Sequence, residues 1–319
     1  MPFEVMPSVA AMEIGIILSS FLFGIVTLQA FMYFSNYAHD RKRLKILAIV
    51  LWMIELGHMI CIAHLLYTGT ITTYRERPQD MFENPPADID IAILLSGCSG
   101  CIVQAYFADR VRRFTKWLWL AIFLWFLIFI TMIGTIVVCV VSFTGGLENF
   151  TDNWGWVSTA SWILSAVIDS AIACCLSWSL LRHRQSALQL SHRLIDKIIL
   201  MTISTGMVTS VLDIVTAICF LVMPYKLIYL GLYICIARVY ANSFYASLNA
   251  RNSLRHNETN VHTNVHTFKF ATSNTTGTAS SASGLASRDD RGAYPLEDLK
   301  QGEGTTVANP VPDTIATAV

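Results

Sequence analysis

Charge is scarce in this chain. Asp, Glu, Lys and Arg make up 14% of its 319 residues, against about 25% in soluble domains. Hydrophobic residues make up 54% and mean hydropathy is +0.52, so the composition is that of an integral membrane protein rather than a soluble domain. Lys+Arg and Asp+Glu are equal at 22 each, so net charge says nothing about partners. Basic residues gather only in short loops beside apolar runs, with no nucleic-acid motif, which argues against a nucleic-acid partner. Cysteine is missing from every loop. All eight cysteines lie in apolar runs, where no disulfide framework is expected. Cys98-x-x-Cys101 lacks a second pair and sits at membrane depth, so it reads as small packing residues rather than a zinc site. The alternating polarity of a membrane β-barrel is also missing.

Long apolar runs are abundant. A spanning helix needs about 20 mostly apolar residues, and seven stretches qualify: Glu13–Ser35, Leu44–Gly69, Ile89–Ala108, Trp117–Val141, Val157–Leu181, Ile195–Met223 and Leu227–Leu248. With no water to satisfy backbone amides in lipid, runs of this length must be helical. The expected fold is an all-α bundle of seven transmembrane helices over residues 13–248. Residues 1–12 have no Lys or Arg before the first apolar run. That run is too long for a signal-peptide core, so it reads as a retained helix after a short outer leader.

The loops at 38–45, 109–116 and 182–197 hold twelve Lys and Arg residues, against Arg75, Arg77 and Lys226 on the other side. The positive-inside rule places the N-terminus outside and the C-terminus in the cytosol. The sequon Asn149-Phe150-Thr151 then falls outside, where glycosylation at Asn149 is expected. Asn257 and Asn274 also begin sequons but fall inside, and are expected to stay unmodified. From Asn249 the composition turns to Ser, Thr, Asn, Gly and Ala, the signature of a disordered cytoplasmic tail over 249–319.

Four ionisable residues interrupt the apolar interior: Glu55, Asp169, Asp213 and Arg238. Each costs roughly 2.5–3.5 kcal/mol at a helix centre, so four unpaired would cost on the order of 10 kcal/mol, comparable to a domain's whole stability. They must pair, face water or lose their charge. Arginine keeps its proton whereas a carboxylate can take one up. The simplest solution is one inward-facing cluster around Arg238. His58 lies three residues from Glu55 and shares its helix face, whereas His64 lies nine beyond and turns to the opposite side. The polar-core candidates are therefore Glu55, His58, Asp169, Asp213 and Arg238. "LSGCSGC" (95–101) places small residues at helix-packing spacing. Trp154 and Trp156 read as interface anchors, and the aromatics of the fourth run are expected to face lipid.

"ADRVRRF" (108–114) resembles the Asp-Arg-Tyr switch of rhodopsin-like receptors in position only. The cysteine tether, the Asn-Pro-x-x-Tyr ending and the Cys-Trp-x-Pro bend are all missing, and no lysine stands mid-helix in the seventh run to hold retinal. A closer resemblance runs from Ser165 to Arg255. It includes Asp169, "STGMVTS" (204–210), Tyr240, Asn242, Ser243, Leu248, Asn249 and Arg251. This stretch resembles a family of fungal, mostly basidiomycete, membrane proteins with a C-terminal domain of unknown function. The resemblance continues upstream in Trp52, Glu55, His58, His64 and Tyr67, where relatives often have Asp-x-x-His-x5-His-x-x-Tyr, and in "VQAYFADRV" (103–111). Asp109 and Asp213 depart from the family pattern. The resemblance implies seven membrane helices and no settled activity.

The leading expectation is a receptor-like, non-enzymatic protein of the plasma membrane without cofactor or metal. Its buried charges would bias two helix arrangements, with an unidentified small-molecule ligand and cytosolic partners at the basic loops and tail. The alternatives are a proton-coupled transporter or channel, for which no internal repeat is visible, and an intramembrane metal hydrolase built on Glu55, His58 and one Asp. No His-x-x-x-His spacing occurs in the spans to support the last of these.

Overall fold

The computed structural model describes residues 5–73, 86–184 and 189–273, and among them every regular element is helical. Seven α-helices follow in order: α1 Val5–Asn36, α2 Lys42–Tyr67, α3 Asp88–Thr115, α4 Leu118–Asn149, α5 Gly155–Arg184, α6 Gln189–Val222 and α7 Ile228–Ser273. Two π-helical segments, Thr68–Thr73 and Phe150–Trp154, extend α2 and join α4 to α5. The described residues fall into two units, one ending at Leu254 and the other beginning at Arg255. The bundle belongs to the first.

Six helices, α1 to α6, are long and apolar enough to cross a membrane. The seventh apolar run, at the start of α7, is more polar, and its position explains why. No residue from 228 to 250 is exposed, whereas α4 presents Trp119 at 85% exposure and Phe123, Phe126 and Phe129 above half. A helix enclosed by its neighbours meets protein rather than lipid, so hydroxyls, amides and an arginine are tolerated along it if each finds a partner.

Several helix ends differ from the boundaries expected from the sequence. α1 is already helical at Val5, the first described residue, rather than from 13. α3 runs past Ala108 to Thr115 and stops where Lys116 adopts φ 60, its N–H bonding Arg112 O at 3.0 Å. The expected loop at 142–156 is instead nearly all helical. Its single break is Gly146 at φ 74, ψ 169, a conformation closed to most side chains. α7 continues beyond Leu248 to Ser273, since Gly231 is its last helix-breaking residue. The part of the expected tail after Ser273, with Asn274, lies outside the described residues, as do Arg75 and Arg77.

α1 and α7 run side by side in the same direction. The carbonyls of Gly15, Leu22 and Gln29 accept from Cys235 Sγ (3.4 Å), Asn242 Nδ2 (3.3 Å) and Asn249 Nδ2 (2.8 Å), always 220 residues apart. The repeat of seven is that of a parallel helix seam. Close approach is possible at its upper end because both partners are glycine: a Cβ on Gly15 would lie 2.6 Å from Gly231 O. Elsewhere Gly97 meets Thr135, and Gly206 meets Ala173. This is the small-residue packing that membrane helices use in place of a hydrophobic drive. One apolar cluster closes the end nearest Asn149, with Ile62, Leu65, Phe150, Trp162 and Phe220. A second closes the other end around Tyr33, Leu51, Phe244 and Tyr245. The polar side chains of α7 lie between them.

Candidate functional site

Arg238 sits at the centre of the bundle with its side chain fully buried, as is that of Glu55. Its Nη1 pairs with Glu55 Oε2 and also donates to Glu55 O at 2.8 Å. Nε donates to Ser19 Oγ at 3.0 Å, and Nη2 meets His58 Nδ1 at 2.9 Å. Since a guanidinium only donates, His58 Nδ1 is the acceptor and the imidazole proton sits on Nε2. The guanidinium also lies over the Phe23 ring, 5.0 Å from its centroid. Glu55 Oε1 accepts from Ser99 Oγ. Three helices, α1, α2 and α3, thus contribute to holding one cation on α7. Taking both ions out of water costs several kcal/mol each, offset only when geometry and hydrogen bonding are this complete.

Asp169 and Asp213 do not join that pair. They belong to a second network centred on Tyr240, two residues further along α7. Tyr240 OH lies 2.8 Å from Asp169 Oδ2 and 3.1 Å from Asp213 Oδ2. Gln104 Nε2 donates to Asp169 Oδ1 at 3.0 Å and to Tyr240 OH at 3.2 Å. A phenol has one proton, so it serves one carboxylate at a time. The second contact is a hydrogen bond only if a further proton sits between the two oxygens. The expected single cluster is therefore two, because residues 238 and 240 point about 200° apart around the helix. Arg238 faces α1 and α2, and Tyr240 faces α3, α5 and α6. A small cavity of about 50 Å³ touches Ser96, Gln104, Asp213 and Tyr240. Another of about 30 Å³ touches Asp169, Gly206, Tyr240 and Ser243.

Arg110, expected in an inner loop, is buried on α3 and donates to Ser247 Oγ on α7 at 2.8 Å. Asp109 instead bonds Arg112 Nη2 (2.6 Å) and Arg113 on its own helix, an ordinary i, i+3 and i, i+4 arrangement. His64 pairs with Asp88 at 2.7 Å on a partly exposed face near the start of α3, apart from Glu55 and His58. Asn149 is exposed in the last turn of α4. Trp154 and Trp156 are exposed as well.

Ser19, Ser99, Gln104 and Tyr240 complete both networks. Ser19 and Ser99 carry no signal in a single sequence, since neutral polar residues recur along all the helices. The usable hints were "VQAYFADRV", which contains Gln104, and Tyr240 in the C-terminal stretch of the family resemblance. All eight cysteines are free thiols. Among the described residues no group of three His, Cys, Asp or Glu side chains is disposed to hold a metal ion. Neither curated proteins nor solved structures offer a match to the chain. Residues 165–253, from the middle of α5 through both carboxylates of the second network to the α7 residues that carry Arg238 and Tyr240, match a family of unknown function, DUF6534.

Proposed function

We propose that this integral membrane protein is a receptor-like, non-enzymatic seven-span protein of the plasma membrane, with its N-terminus outside and its C-terminus in the cytosol. The observation that carries the reading is that both buried networks converge on α7 from opposite sides. α7 is then a lever held by an ion pair on one face and a shared proton on the other, and its position has two discrete settings. A seventh span is supported by the α1–α7 seam. From Gly231 to Asn249 α7 follows α1 over about 27 Å at 1.5 Å per residue, close to the hydrocarbon thickness of about 30 Å. The resemblance of the upstream helices to fungal proteins extends this reading beyond the matched domain. Glycosylation at Asn149 and cytosolic partners at the basic loops belong to the same proposal. Its test is the Glu55→Leu/Arg238→Leu pair in cells. We expect surface display at the wild-type level with a changed transcriptional response. Wild-type display with an unchanged response refutes the lever.

A second reading, proton-coupled transport, is favoured by the Asp169–Tyr240–Asp213 arrangement with a cavity on each side of Tyr240. Acids at mid-depth are typical of relays. Proteoliposomes under a pH gradient test it: proton flux that Asp213→Asn abolishes supports this reading over the first.

A further inference from the structure

Three small spaces follow one another through the interior of the bundle. The first, of about 40 Å³, lies at the Asn149 end, against Ile89 in the first turn of α3 and Leu147 in the last turn of α4. The second, of about 50 Å³, reaches Asp213 and Tyr240. The third, of about 30 Å³, lies against Tyr240 and Asp169. Thr135, Ser161, Trp162 and Tyr233 wall both the first and the second, and Tyr240 walls both the second and the third. None is large enough for an organic ligand, whose sites run to about 300–1,000 Å³. One water needs about 10–15 Å³ of such space, with two to four polar partners, so each space takes a few waters.

The walls supply those partners. Thr131 and Thr135 Oγ1 donate to the carbonyls of Ile128 and Thr131 at 2.8 and 3.1 Å. Ser161 Oγ donates to Val157 O at 2.8 Å and Tyr233 OH to Ile93 O at 3.3 Å. These protons are directed at the backbone, and the oxygen lone pairs remain to accept from water. Acids lie at both ends of the row. Asp90, buried near the start of α3, stands beside Ser142 in the wall of the first space, and Asp213 and Asp169 lie at the other end. We infer that the three spaces are hydrated and form a proton path from the Asn149 end of the bundle to Asp213 and on to Asp169. The proton passes from water to water beside Thr135, Ser161 and Tyr233 and reaches the Asp213 carboxyl. Tyr240 makes the last transfer, with its OH 3.1 Å from Asp213 Oδ2 and 2.8 Å from Asp169 Oδ2. The Asp213 proton closes on the phenol oxygen while the phenol O–H opens toward Asp169. One proton thereby moves between the carboxyls and the phenol stays neutral. The inference deepens the proton-coupled reading and rests on the same three side chains, but it requires no transported solute.

The test is infrared spectroscopy of the full chain in lipid nanodiscs after rapid mixing into D2O. The carboxylic-acid band of the aspartate pair, identified as the band lost in Asp213→Asn, is expected to shift before the amides of the core helices exchange. Thr135→Val with Ser161→Ala removes two acceptors common to the first and second spaces and is expected to slow that shift about tenfold. Both hydroxyls bond only a carbonyl of their own helix, so the fold is retained. Thr144→Val, which removes an exposed hydroxyl near the end of α4, leaves the rate unchanged. A band that shifts no faster than the core amides, or a rate unaltered by the double substitution, overturns the proposal. Hydroxyl-radical footprinting needs no variant. Trp162 and Tyr240 are expected to be modified severalfold faster than Tyr33 and Tyr245, which are fully buried and border none of the three spaces, and equal rates overturn it. A prompt band shift without proton flux in proteoliposomes keeps the path and removes the transport reading.

Discussion

Removing Glu55 and removing Arg238 are expected to have unequal costs, although the two form a single pair. In Glu55→Leu the Arg238 guanidinium stays fully buried with only neutral partners, Ser19, His58 and the residue-55 carbonyl. Arginine does not release its proton, so an uncompensated charge remains and the loss is about 3–5 kcal/mol. In Arg238→Leu the carboxyl that remains can take up a proton and keep Ser99 as a partner. The cost falls to about 1–3 kcal/mol, that of an imperfectly satisfied neutral group. Changing both to leucine removes two desolvated ions together, and such replacements are neutral to stabilising by about 1–4 kcal/mol. The remaining interhelical hydrogen bonds, about 0.6 kcal/mol each, are too weak to mask this pattern. Unfolding of the four proteins in mixed micelles, followed by the loss of a single cysteine's protection, measures it. Additive destabilisation in the double variant, or equal losses in the two single variants, refutes the reasoning.

Tyr240→Phe removes the hydroxyl that both aspartates share and lowers stability by about 1–3 kcal/mol, whereas Tyr225→Phe, which loses an exposed bond to Asp152, leaves the same unfolding midpoint nearly unchanged. Gly15→Ala places a methyl against the Gly231 backbone and is expected to cost about 1–3 kcal/mol by overpacking. Gly24→Ala, with nothing within 4 Å, is neutral or slightly stabilising, and thermal melting in nanodiscs compares the two. Asn149→Gln is expected to abolish a glycosidase-sensitive shift in gel mobility, and Asn257→Gln to leave it intact. The opposite result reverses the assigned orientation.

The helical class and the partnership of Glu55 with His58 were legible because both rest on short-range regularities: run length and a three-residue spacing. That Arg238 needed an acid was legible too, from the cost of a lone charge in lipid. Which acid was not. Glu55, Asp169 and Asp213 are equivalent in a linear reading. Only the rotation of α7, with Arg238 and Tyr240 on opposing faces, assigns the first to the ion pair and the other two to the phenol. Asp90 and Arg110 were overlooked for a related reason. Both lie near the ends of α3, where a charged residue reads as solvated, yet neighbouring helices cover them. The helix through 142–156 was also obscure, because the segment lies between two apolar runs and is too polar to extend either, and the chain bends there only at Gly146.

The central claim is that α7 is enclosed on all sides and that its polar residues look at protein, not lipid. Spin labels placed one at a time from Tyr229 to Leu248 and at Trp119 to Phe129, in lipid bilayers with dissolved oxygen, test it most directly. The account predicts uniformly low oxygen collision rates along α7 and a high-amplitude wave of about 3.6-residue period along α4. A wave of similar amplitude on α7, with its maximum at residue 238, would contradict it.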